Sequence, residues 1–137
     1  MNVTIALFVI CVAALLVWGC QFWNRCLIRK HLAGRPSLTS HEFGQRYYPE
    51  NSDLAATIRD ILQQFIRTDI SRITPPDQPV RDLYLDAFDG LAPNDLIAVI
   101  EDRFGIQIED SAAEKMRTVD DIIKQVIAKV QEKVSAS

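Results

Sequence analysis

An all-α protein is predicted, with a single membrane-spanning helix followed by a small four-helix bundle. Three observations carry that prediction. Residues 3–23 form an apolar stretch without a single charge. Two later segments, 54–65 and 119–134, repeat apolar residues at helical spacing. A third, 96–104, does the same between Pro93 and Gly105.

The first stretch has 21 residues, Val3 to Trp23. At about 1.5 Å per residue its helix reaches roughly 31 Å, the thickness of a bilayer's hydrocarbon core. A cleaved signal peptide wants a positive start, a shorter core and a small-residue exit. Here no Lys or Arg precedes the core, and bulky Trp18, Phe22 and Trp23 close it. Val17-Trp18-Gly19-Cys20 looks like a degraded lipobox, but the Trp is ill-suited to that motif. The expectation is therefore an uncleaved anchor. Arg25, Arg29, Lys30 and Arg35 follow it within about a dozen residues, and positive flanks stay in the cytoplasm. That predicts a single-pass protein of the inner or plasma membrane, with its soluble domain on the cytoplasmic side. Trp18, Trp23, Arg25, Arg29 and Lys30 are the expected membrane-interface residues.

Charge divides the rest. Residues 24–46 hold five Lys and Arg against one Glu, a net of +4, whereas 47–137 hold ten against 17 acids, a net of −7. An acidic domain repels nucleic-acid phosphates and favours basic protein surfaces. The three cysteines lie at positions 11, 20 and 26 and the two histidines at 31 and 41. The domain beyond them thus has no Cys or His, so no thiolate or histidine metal site, and no metal, is expected there. The same lack, with no glycine-rich phosphate loop, argues against independent catalysis.

The expected organisation is a transmembrane helix at 3–23, a basic and polar juxtamembrane linker at 24–49, and the bundle at 50–137. The linker carries Gly34, Pro36, Gly44 and Pro49. Phe43, Tyr47 and Tyr48 are expected to fold back on the domain. Helix one starts after Asn51 or Ser52, and Leu54, Ile58, Ile61, Leu62 and Phe65 mark its apolar stripe. Arg59, Asp60, Gln63, Gln64 and Arg67 fill the other face. A long loop, Ser71 to Leu91, follows Ile70. Helix two opens at Ala92-Pro93, lines up Leu96, Ile97, Ile100 and Phe104, and stops at Gly105. A short helix three spans Asp110 to Met116. Helix four opens on Thr118, with Val119, Ile122, Ile123, Val126, Ile127, Val130 and Val134 on its inner face.

The segment from Leu96 to Ile108, LIAVIEDRFGIQI, resembles the second helix of acyl carrier proteins and the turn after it. The run from Glu109 to Val119, EDSAAEKMRTV, is similar to their short third helix and the Thr-Val that opens the fourth. The resemblance covers about residues 50–134 and implies an antiparallel four-helix bundle. It also implies a function, because the family carries acyl groups on 4′-phosphopantetheine esterified to a serine in an Asp-Ser-Leu motif. An ungapped register puts Asp89-Gly90-Leu91 on that motif, with Gly90 at the serine. A three-residue insertion puts Asp86-Ala87-Phe88 there, with Ala87 at the serine. No Ser, Thr or Tyr occurs from Leu85 through Asp110. The expectation is a degenerate member that holds no cofactor. The family also docks on basic enzyme patches through acids of helix two, and here Asp89, Asp95, Glu101 and Asp102 occupy comparable ground. Glu109 and Asp110 extend it.

The leading reading is a membrane-tethered, non-catalytic adaptor at the cytoplasmic face. Its expected partners are the bilayer and a basic-faced protein, such as an enzyme of lipid or secondary-metabolite chemistry, and not nucleic acid. The alternatives are a working carrier attached at an atypical serine, Ser71 or Ser111, and a self-associating structural membrane protein.

Overall fold

The computed structural model describes residues 2–66, 68–83 and 92–137. Among these the chain is helical, without strands. The long first helix, α1 (Val3–Leu32), is followed by α2 (Ser40–Tyr47), a 3₁₀ turn (Pro49–Asn51), α3 (Ser52–Phe65) and the short α4 (Pro79–Leu83). Then come α5 (Ala92–Phe104), the one-turn α6 (Asp110–Ala113) and α7 (Val119–Ala136).

The three long bundle helices sit where their apolar periodicity puts them. Ile58 and Leu62 of α3, Ile100 of α5, and Val119, Ile123 and Val126 of α7 meet in one core, each fully buried. Thr118 caps α7: its hydroxyl accepts from the Asp121 amide at 3.0 Å and the Asp121 carboxylate accepts from the Thr118 amide at 3.0 Å. Those bonds hold the Asp121 carboxyl below the usual carboxylate range. α5 ends in a Schellman turn. Gly105 takes φ +60°, and the Ile106 amide reaches back to the Glu101 carbonyl at 3.1 Å.

The expected 24–49 linker is folded. α1 does not stop at Trp23 but runs on through the basic cluster to Leu32. Lipid thickness limits the span, but helix continuation depends on backbone hydrogen bonds and packing, and Ile28 and Leu32 lie one turn apart on a face that joins the bundle core. Burying each stabilises by roughly 2 kcal/mol. The segment 40–47 is helix α2, opened by a second capping box. There the Thr39 hydroxyl accepts from the Glu42 amide at 3.2 Å, and Glu42 Oε2 accepts from the Thr39 amide at 2.7 Å. Phe43, fully buried, and the half-buried Tyr47 and Tyr48 pack on the domain as expected.

α2 also overturns the expectation for Arg59. Instead of facing water it is 5% exposed. Its guanidinium lies 5.4 Å over the Phe43 ring and donates from Nη2 to the Leu38 carbonyl at 2.6 Å. Burial lowers its pKa from the ordinary arginine value. Arg59 is interior because α2 lies across that part of α3, while Asp60, Gln63 and Gln64 of the same face stay exposed. The approach is close: a Cβ on Gly44 would stand 2.2 Å from the Ser52 carbonyl oxygen. The predicted long loop is likewise interrupted by α4, whose Leu83 is fully buried.

Candidate functional site

Two places on the bundle combine chemistry with position. The first is a cleft between α4, α5, α6 and α7 of about 470 Å³. Leu96, Ile97, Met116 and Ile122 give it an apolar lining, and Asp110, Glu114 and Arg117 bring charge to it. The volume is in the range of small-ligand sites. Pro79 and Val80 of α4 form one wall, so the helix unforeseen in the sequence shapes the cleft.

The acids expected to meet a partner divide. Asp95 and Asp102 of α5, Glu109, and Asp110 of α6 are exposed. Glu101 is half-buried and used inside the fold, where its Oε1 accepts from the Ile108 amide at 2.7 Å and secures the α5–α6 turn. Asp89 and both expected attachment positions, Ala87 and Gly90, lie outside the described residues. Of the alternative serines, Ser71 donates its hydroxyl to Asp69 at 3.1 Å and accepts from Ser37 at 2.9 Å, while Ser111 is exposed on α6.

The second place is the junction between α1 and the bundle. Asp77 is 3% exposed and gathers four groups. Arg35 Nη1 donates to Oδ2 at 2.6 Å and His31 Nε2 lies 3.0 Å from Oδ1. The Thr74 amide and hydroxyl donate to Oδ2 at 2.8 and 3.2 Å. Burial pushes the Asp77 carboxyl up, but the bonds from Arg35, the Thr74 amide and His31 outweigh it and hold the carboxyl below its ordinary value. An ionised carboxylate only accepts, so His31 Nε2 carries the proton in that bond. The Asp77 carbonyl accepts from the Val119 amide at 2.9 Å, which ties the same residue to the start of α7. Beside it, the half-buried Tyr48 donates its hydroxyl to Asp120 at 2.5 Å; partial burial and that bond push its pKa up.

This junction was not foreseen. His31 and Asp77 are 46 residues apart, and no motif or spacing pairs them. Docking also brings His31, Asp77 and Asp82 together, with ligand-type atoms within 4.8 Å of one another. The oxygens are already engaged: Asp82 Oδ2 accepts from the Gln78 amide at 3.0 Å and Oδ1 from Arg81 at 3.0 Å. The Arg35 guanidinium supplies the positive charge that a cation would bring, so the group is a lock between elements.

At the other end, α1 is one helix long and apolar enough to cross a membrane, and its apolar stretch is uncovered by the rest of the chain. Trp18 and Trp23 are 75% and 66% exposed. Arg25, Arg29 and Lys30 are exposed as well.

Three long helices and a short one make a small all-helical domain among the described residues. No protein-family profile matches the chain. Acyl carrier proteins from two strains of Helicobacter pylori are each 32% identical to it over 69 residues, which is 50% of this chain and 85% of theirs. The crystal structure of an acyl carrier protein from Thermotoga maritima superposes with a TM-score of 0.50 at 29% identity, over 63% of this chain and 96% of that one. The chain belongs to the acyl carrier protein family. Its fold is the family bundle, preceded by one long apolar helix.

Proposed function

We propose that the protein is a membrane-tethered member of this family that works by protein contact at the cytoplasmic face, without an acyl group of its own. The observation that carries the proposal is chemical. Attachment of 4′-phosphopantetheine needs a hydroxyl to attack the donor's phosphate. Gly90 stands at the serine position in the ungapped register and Ala87 in the alternative one, with no Ser, Thr or Tyr between Leu85 and Asp110. Recognition needs only surface, and the exposed Asp95, Asp102, Glu109 and Asp110 offer a basic-faced protein its complement. The uncovered apolar stretch of α1 and its basic flank support the tether and its orientation.

The test is the intact mass of the full chain after incubation with coenzyme A and a broad-specificity phosphopantetheinyl transferase, with a serine-bearing carrier in the same tube. The full chain is required because a fragment lacking α1 would lose Ile28 and Leu32 from the core. The expected mass is unchanged while the control gains the group. A gain of one phosphopantetheine would restore acyl carriage, and fragmentation would then distinguish Ser71 from Ser111.

A further inference from the structure

The junction sets how the bundle stands on the membrane, and we infer that its α4 end is a contact surface for anionic lipid headgroups. This rests on the tethered reading above. The first fully docked residue of α1, Ile28, lies five residues beyond Trp23, which is about 7.5 Å of helix. The headgroup layer on one side of a bilayer is roughly 5–8 Å thick. The bundle therefore begins where the headgroups end, without a slack connector between them.

The charges at this end are sorted. Two acids here turn inward: Asp77 is buried against Arg35 and His31, and the Asp82 side chain is 12% exposed and bonded to the Gln78 amide. The cations turn outward. Arg25, Arg29 and Lys30 are exposed on the last turns of α1. Arg81 of α4, the helix packed on α1, pairs with Asp82 through Nε yet keeps 72% of its side chain exposed. Val80 beside it is 45% exposed and offers an apolar contact. Beside a domain whose net charge is −7, the cations of the α1 end and Arg81 complement phosphate-bearing lipid next to the anchor.

The experiment uses the full chain in lipid nanodiscs, either pure phosphatidylcholine or one-third phosphatidylglycerol, with a spin-labelled headgroup as quencher. A fluorophore is placed at V80C or D102C after replacing the three native cysteines. Quenching at residue 80 should exceed that at 102 by roughly twofold or more in anionic discs, and fall in zwitterionic discs, at high salt or with R25E/R29E/R81E. Hydrogen exchange of the unsubstituted protein reads the same face, and α4 should be protected only by anionic lipid. Equal quenching at the two sites, or α4 exchange indifferent to lipid charge, would overturn the inference while leaving the tether intact. Failure of the chain to enter discs would overturn the tether and this inference together.

Discussion

The bundle is gripped on two sides by different chemistry. At the α1 junction, a buried carboxylate collects an arginine, a histidine and a threonine, so the geometry is directional and hangs on Asp77. At the α2–α3 contact, Phe43 fills the interface and Gly44 lets two backbones approach, so the fit is one of volume. The polar grip depends on protonation state. The packed grip depends chiefly on shape at Phe43 and Gly44, two residues that carry no titratable group.

The largest expected effect breaks the packed side. Gly44→Ala drives a Cβ into the Ser52 backbone, which no side-chain movement relieves. Urea unfolding of the full chain should show a loss of about 3 kcal/mol, the upper end of overpacking costs. Asp77→Ala breaks the polar side. We expect a loss of about 2 kcal/mol in the same assay, discounted from the cost of a fully buried pair because Arg35 and His31 still reach water.

Acid sharpens the comparison. The folded Asp77 carboxyl titrates below its unfolded value of about 4, so its contribution is whole above that pH and is lost as pH falls through the folded value. Stability curves of the unsubstituted and Asp77→Ala proteins should therefore converge in acid, while Gly44→Ala stays displaced from both. Persistence of the Asp77→Ala gap at the lowest pH at which the fold survives would assign that loss to packing. The smallest effect belongs to Tyr48→Phe, which removes the bond to Asp120 and leaves the ring in place. About 1 kcal/mol is expected from thermal unfolding.

Helices α3, α5 and α7 were legible because each repeats apolar residues over several turns and begins or ends on a recognisable cap. Thr118-Val119-Asp120-Asp121 announced the start of α7. Thr39-Ser40-His41-Glu42 carries the same box and could have announced α2, but its Gly and clustered aromatics hid the period. α4, at five residues, is too short to show one. The continuation of α1 was missed because charge ended the apolar run, although Ile28 and Leu32 keep helical spacing and mark a docked face. Arg59 misled for a related reason. A charged residue on a polar stripe reads as solvent-facing until another helix covers it. The acidic surface was readable residue by residue, except that only the fold reveals Glu101 tied to Ile108.

The continuity of α1 into the bundle has a mechanical meaning. A flexible tether of 26 residues would let the domain wander roughly 28 Å from its anchor and sample many heights. Under the proposed tether, a helix that leaves the bilayer and locks onto Asp77 would act instead as a shaft. Turning it by one residue swings the whole domain by about 100°. On the proposed reading, a basic-faced partner on the same membrane would meet the acidic face at one height and in one plane, and its search would reduce to lateral diffusion and rotation about a single axis.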